Sequence, residues 1–243
     1  MKLLLNSFTI GFIINFLLIF VFRRYPIMTK GGWMSAGVLG TLLWGSLGWK
    51  GWISVVLYLL LGSLVTKVGF KYKNKLGIAE KRGGRRGPEN VLGSASTGLF
   101  LALMINLNLA NLTLLKVGFA ASFAAKLADT FGSEIGKRYG KNTFLITTFK
   151  KVRQGTEGAI SLEGTIASLF GALIMSFVMF ILGFITIGKG LFIVCFSGFA
   201  ATIFESFIGA TFQDKFNLSN EAVNAIQTSF SATLAIFSYK FIF

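Results

Sequence analysis

Between Lys150 and Thr165 the chain sets three cations, Lys150, Lys151 and Arg153, ahead of Gly155-Thr156-Glu157-Gly158. Ser161, Glu163, Gly164 and Thr165 then lead into an apolar run. Glycines expose backbone N–H groups and a helix N-terminus carries partial positive charge, so phosphate binds well in such a stretch. Neighbouring cations add charge-assisted hydrogen bonds. Thr156 with Glu157, or Ser161 with Glu163, would complete a Mg²⁺ shell. The plainer alternative is a helix start whose acids suit the dipole, with Lys and Arg resting on an anionic leaflet.

A second group lies just upstream. At 100° per residue, Asp129, Gly132, Ser133, Gly136 and Gly140 share one face of a helix expected from Leu112 to Tyr139. A carboxylate beside positions without side-chain bulk suits a metal with a bulky anionic ligand. The same stripe equally suits close helix packing, with Asp129 paired to Lys126 at i−3. Glu134 points away from that face and has Arg138 at i+4. A third group, Arg82, Arg85 and Arg86 with three glycines and Asn90, offers fork-shaped phosphate donors, although no Walker A pattern occurs. Glu205 stands alone in an apolar helix on a stripe of Gly198, Ala201, Thr202 and Gly209, where a buried carboxylate needs a cation. Gln213 and Asn224 are neutral donors expected near the same interface.

The absent residue types narrow the chemistry. There is no histidine, and the one cysteine, Cys195, lies in an apolar run. Imidazole bases, Ser-His hydrolases, Cys-rich metal sites and an intrachain disulfide are therefore excluded. What remains is carboxylates, cations, amides and hydroxyls, which favours Mg²⁺ with phosphate. The net charge of +15 attracts polyanions. Its cations lie in membrane loops with little aromatic interleaving, so nucleic acid is not the expected partner.

The elements that must hold these groups are membrane helices. A mean hydropathy of +0.70 with 53% hydrophobic and 14% charged residues leaves too little polar surface for a soluble globule. The apolar runs have spanning length, about 20 residues for a core of about 30 Å. The spacing predicts an all-α, multi-pass bundle of about seven to eight helices, near 3–22, 33–49, 52–69, 91–107, 112–128, 162–186, 190–211 and 222–242. It forms a single domain over 1–243, with cytoplasmic loops at about 67–90 and 129–163. The first run is longer than a signal-peptide core and is followed by Arg23-Arg24, so it reads as a membrane helix. The positive-inside rule places the basic loops in the cytoplasm. Only Lys2, Lys50, Lys116, Lys189 and Lys240 of the 24 cations then fall outside, and all nine acids fall on the cytoplasmic side.

The blocks K-L-A-D-T-F-G-S-E-I-G-K-R-Y-G-K (126–141) and T-T-F-K-K-V-R-Q-G-T-E-G-A-I-S-L-E-G-T-I-A (147–167) resemble the phytyl-phosphate kinase family of plants and cyanobacteria. So do R-G-P-E-N-V-L (86–92) and F-E-S-F-I-G-A-T-F-Q (204–213). The pieces A-D-T and E-G-T are similar to CTP-dependent polyprenol kinases, including phytol and dolichol kinases. The chain departs from its relatives at Arg153-Gln154, where a proline is common. The resemblance implies phosphoryl transfer from a nucleoside triphosphate, CTP by expectation, to a prenyl monophosphate in tocopherol and phylloquinone metabolism. A bacterial plasma membrane or cyanobacterial thylakoid is the implied location. On this reading Asp129 and Glu157 coordinate Mg²⁺, with Glu134, Glu163 and Glu205 as further candidates. Lys150, Lys151, Arg153, Gly155, Thr156, Gly158 and Ser161 hold the triphosphate, and Arg82, Arg85, Arg86 and Asn90 the acceptor phosphate. Within enzymes the alternatives are an alcohol kinase acting on phytol and a nucleotidyltransferase. Outside enzymes the alternative is a lipid or small-molecule transporter.

Overall fold

The structure, a computed structural model, describes residues 2–241, with side chains from Asn6 onward. The ends of the expected domain, Met1, Ile242 and Phe243, and the Lys2 side chain lie outside the described residues. The chain forms α1 (Lys2–Phe22), α2 (Lys30–Lys67), α3 (Phe70–Lys75), α4 (Pro88–Asn106) and α5 (Leu112–Tyr139). A two-stranded ribbon follows, β1 (Thr143–Leu145) and β2 (Ala159–Ser161), then α6 (Leu162–Ile181), α7 (Lys189–Thr211) and α8 (Asn220–Phe241). The all-α membrane expectation holds. By length and composition α2, α6 and α7 suffice to cross a membrane, and α1 carries an apolar stretch over Asn6–Phe22.

α2 is two helices in one. Gly48 has φ 66° and ψ −164°, outside helical space, a conformation that only glycine adopts freely. Backbone on either side of it meets the same residue. Gly32 lies against the Arg86 carbonyl, and a Cβ on Gly62 would sit 3.1 Å from the Arg86 guanidinium. A straight helix would separate positions 32 and 62 by about 45 Å, so the chain reverses at Gly48. This matches the expected helices at 33–49 and 52–69, with the break two residues earlier than the charge at Lys50 suggested. α1 packs on the first half, where Gly40 admits Asn15 and Gly45 admits Phe8. Asn15 in turn accepts from the Trp52 indole at 3.1 Å.

α5 is the central post, contacted by α2, α4, α6, α7 and α8. Its sequence explains why. Gly118, Ser122 and the alanines up to Ala128 let neighbouring backbones close in, while Phe119, Phe123 and Leu127 fill the space with no exposed surface. Gly198 of α7 rests 3.0 Å, measured from an added Cβ, from Ala124. Against α6 the small residues interlock: Gly132 meets Ser168, Gly136 meets Gly164, and Gly171 meets Ala128. Close backbone approach of this kind is how membrane helices associate when lipid offers no hydrophobic drive.

Charge separates along the bundle axis. Glu80, Asp129, Glu134, Glu157, Glu205 and Glu221 surround one cavity. Glu89 pairs with Arg82 beside it, Glu163 accepts from the Lys141 amide at 3.3 Å, and Asp214 lies close enough to act on Glu157. All nine acids thus gather at one end. Lys50 meets the turn at Gly183 and Lys189 stacks over Tyr239 at 4.1 Å, both at the other end.

The ribbon was not expected from the sequence. β1 pairs antiparallel with β2, Thr143 opposite Ser161 and Leu145 opposite Ala159. On its other edge β1 takes 150–152, through Leu145 N–H to Lys150 O at 3.0 Å and Val152 N–H to Thr143 O at 2.9 Å. This small platform fixes the glycine turn that precedes α6.

Candidate active site

The cavity at the charged end has a volume of about 680 Å³. Its walls are the basic loop 77–86, the first turns of α4, the end of α5, the 154–161 turn, α7 at Glu205, and the start of α8. Three segments distant in sequence therefore converge there, as the charge pattern implied.

The glycine turn is built for close contact. Gly155 and Gly158 have φ of 83° and 71°. Gly158 is seated on α7, where a Cβ would collide with Ala210 and the Ser206 carbonyl. Thr156 spends its hydroxyl on the Arg153 carbonyl, at 2.8 Å. Ser161 caps α6 by accepting from Gly164 N–H at 3.1 Å, a standard N-cap. The amides of Gly155, Glu157 and Gly158 make no hydrogen bond within the described residues, which leaves three donors in a short arc at the cavity wall. Burial pushes the Glu157 carboxyl up, and the charges of Asp129, Asp214 and Glu80 add to that rise against the opposing pull of Lys137.

Asp129 stands both on a packing stripe and on the cavity wall. Its stripe of glycines packs α5 on α6 and its carboxylate pairs with Lys126, yet both Asp129 and Lys126 line the cavity. Lys126 also donates to Asn224 Oδ1 at 2.7 Å. Glu205 faces the same space from α7 and lies near both Asp129 and Lys126. Gln213 instead ties to Asn220, donating at 2.6 Å.

Several expected residues stand elsewhere. Lys150 and Lys151 lie on the outer edge of β1, facing water, because the chain turns back at Thr147–Phe149 before the glycine turn. Lys151 reaches Asn142 at 3.2 Å. Arg153 is exposed, its guanidinium 3.4 Å from the Leu76 carbonyl, and Glu163 is turned to the Lys141 amide. None of these four lines the cavity. Glu134 does line it, but its partner is not Arg138. It pairs with the fully buried Lys73, which also donates to the Thr66 carbonyl at 2.9 Å. Arg138 stacks on Tyr72 instead, at 4.6 Å. In the basic loop, Arg82 is neutralised by Glu89 and also donates to Asn90 at 3.0 Å. Arg85 lines the cavity with its Nε bonded to the Arg82 carbonyl at 3.1 Å. Arg86 lies over Tyr58 at 5.9 Å.

The family model for integral membrane protein DUF92 matches residues 13–232. The chain belongs to the DUF92 family of integral membrane proteins. An uncharacterized membrane protein of Synechocystis sp. is 48% identical over 86% of this chain and 82% of its own length. Protein VTE6, chloroplastic, of Arabidopsis thaliana is 43% identical over 94% of this chain and 71% of its own. An uncharacterized membrane protein of Methanocaldococcus jannaschii is 30% identical over 98% and 97%. No solved structure matches.

For this DUF92 chain, three cavity cations, Lys81, Lys126 and Lys137, are not among the site residues read from the sequence. Lys137 lines the wall and approaches Glu80 at 3.6 Å; a helical projection puts it 80° from Asp129, on the same side. Lys126 had been weighed only as a partner for Asp129. Among the described residues no three acidic or thiol side chains are grouped closely enough to hold a metal unaided. Mg²⁺ commonly takes one or two carboxylates and completes its shell with water and substrate phosphates. Asp129, Glu157 and Glu205, which all line the cavity and lie close enough to act on one another, have the chemistry for that arrangement.

Proposed function

We propose that this protein transfers the γ-phosphoryl group of a nucleoside triphosphate, with CTP as the preferred donor, to a prenyl monophosphate such as phytyl phosphate. The product is the prenyl diphosphate used in tocopherol- and phylloquinone-type metabolism. The observation that carries this reading is one polar cavity, at one end of a membrane bundle, in which unpaired backbone amides, arginines and lysines share the wall with Asp129, Glu157 and Glu205 among six carboxylates. The resemblance of the central blocks to phytyl-phosphate kinases, and the similarity to VTE6, support this substrate class. The basic loops flanking the cavity favour the cytoplasmic face for it by the positive-inside rule.

The acceptor is a phosphate monoester, already largely dianionic near neutral pH, with a second pKa of about 6. It needs no base, which suits a chain without histidine. One of its oxygens attacks the γ-phosphorus, the bond from that phosphorus to the β–γ bridging oxygen breaks, and the nucleoside diphosphate leaves with that electron pair. The protein's work is alignment and charge neutralisation. Asp129 and Glu157 would hold Mg²⁺, whose charge offsets that of the donor phosphates. The amides of Gly155, Glu157 and Gly158, with Arg85 and Lys137, would hold the triphosphate. Lys150, Lys151 and Arg153 have no role in this arrangement beyond drawing anions toward the mouth.

Purified protein in detergent, given phytyl phosphate, Mg²⁺ and each γ-labelled triphosphate, should place label in phytyl diphosphate, fastest with CTP. Asp129→Asn and Glu157→Gln should each lower turnover by about 100-fold or more, the usual scale for removing a charge-stabilising group. Near-normal turnover in both would sink the metal assignment. With free phytol supplied beside phytyl phosphate, label in phytyl phosphate and none in the diphosphate would make it an alcohol kinase, and release of pyrophosphate a nucleotidyltransferase. No label in any prenyl phosphate would favour a transporter, although charges concentrated at one end are unlike the midplane sites of that class.

A further inference from the structure

The floor of the cavity carries a polar group that the loops do not explain. Gly98 of α4 packs against Phe123 and Ser122 of α5. The two helices run antiparallel, so one turn nearer the charged end Ser94 comes level with Lys126. Thr97 bonds Thr228 at 2.8 Å and Gly93 rests on Glu221, so α8 runs alongside and brings Asn224 to the same level. Ser94, Lys126 and Asn224 all line the cavity. Ser94 is 3% exposed and its hydroxyl has no hydrogen-bond partner. Lys126 is 4% exposed and gives two of its three N–H groups to Asp129 and Asn224. Above them Arg86 reaches into the groove at Gly62, beside Thr130 and Tyr58. Unlike Arg82, it has no carboxylate partner among the described residues.

Buried polar atoms are normally paired, and an orphan among them calls for a ligand or water. Here an orphaned hydroxyl, a spare ammonium N–H and an unpaired guanidinium converge. Their combined chemistry is that of a phosphate seat. Ser94 and Lys126 lie on helices, and Arg86 reaches in from the loop to the level of Gly62 on α2. A nucleotide, with its ribose and base, needs the wide mouth. A phosphate whose chain remains in lipid is delivered at the level of the helices.

We infer that Arg86, Ser94 and Lys126 form the seat for the phosphate of a lipid monophosphate, with Asn224 positioning Lys126, and that the glycine turn at the mouth is left to the nucleotide. This rests on the kinase reading for its substrate class and moves the acceptor site from Arg82, Arg85 and Asn90 to the floor, keeping Arg86 alone of the loop arginines.

The test uses the full chain in nanodiscs and reads binding and kinetics separately. Without nucleotide, phytyl phosphate should raise the melting temperature of the wild type, and inorganic phosphate at the same concentration should not. Arg86→Gln and Ser94→Ala should each abolish or weaken that shift. In turnover, Arg86→Gln should raise KM for phytyl phosphate about tenfold and Ser94→Ala about threefold, as loss of a charged and a neutral hydrogen bond implies. KM for CTP should stay within about twofold, since the mouth is untouched. Arg86→Lys keeps the charge without the fork, should fall between, and replaces Arg86→Gln if that variant fails to fold. A rise in the CTP KM instead, or no change in either, overturns the seat and leaves the kinase reading standing. Equal shifts with inorganic phosphate overturn the lipid assignment. Binding of phytyl phosphate through Arg86 and Ser94 with no transfer from any triphosphate would sink the kinase reading and keep the seat.

Discussion

At the scale of single residues, Glu157 holds its carboxyl at the cavity wall in a setting that opposes ionisation. Its carboxyl holds a proton more tightly in the folded chain than it would in water, because of burial and the surrounding acids. Once the pH exceeds that raised value, the ionised group works against folding. The penalty is relieved as pH falls through the raised value toward the ordinary carboxylate range, near 4.3. Glu157→Gln is therefore expected to melt at a higher temperature than the wild type at neutral pH, with the difference fading below about pH 4. The same variant should lose turnover. Thermal scans across pH, paired with the labelled-nucleotide assay, check both signs, and a lower melting temperature at pH 7 would contradict the account. Asp129 was legible in the sequence because Lys126 sits three positions away on the same helix. The spare guanidinium of Arg86 was not, since Arg82, Arg85 and Arg86 differ only in where the loop lays them.

At the scale of elements, the pairing of Lys73 with Glu134 ties the short α3 to the end of α5. Both side chains are almost wholly buried, and removing one partner leaves the other charged without compensation. Lys73→Met should cost about 3–5 kcal/mol, the usual penalty for breaking a buried pair, read as a lower melting temperature. The double variant Lys73→Met with Glu134→Leu should recover much of it. If the double variant is no better than the single, the pair is not what holds α3. Helix patterns revealed α5 to its last residue, because its small-residue stripe and polar tail both keep helical period. The reversal in α2 was legible from Lys50, although the hinge itself is Gly48. The ribbon was invisible because strands of three residues show no period, and with it went the reason that Lys150 and Lys151 face away. A bond between residues 61 positions apart leaves no local trace either.

At the scale of the whole molecule, acids and unpaired cations share one end while apolar side chains such as Phe12, Phe100, Phe170 and Phe192 cover the flanks. The orientation assigned above makes a direct prediction. In a Cys195→Ser background, Leu109→Cys lies in the turn between α4 and α5, and Thr147→Cys lies beside the ribbon. An impermeant maleimide should label the first in intact cells and the second only after permeabilisation. The reverse pattern would put the cavity outside, away from the nucleotide supply. The one-sidedness was visible from charge alone, since loops alternate sides whatever the details of packing.

The latch between Lys73 and Glu134 also orders events during synthesis. Lys73 leaves the ribosome 61 residues before the carboxylate it needs. An unpaired ammonium is costly to bury, so the segment around α3 has to wait in water while α4 and the first part of α5 enter the bilayer. Only when the tail of α5 emerges can α3 dock and draw the basic loop over the space beneath. The wall of the cavity is thus closed late, by a contact that cannot form until the central post is in place. A ribosome stalled before residue 134 would display an open, charged rim with nothing yet to enclose.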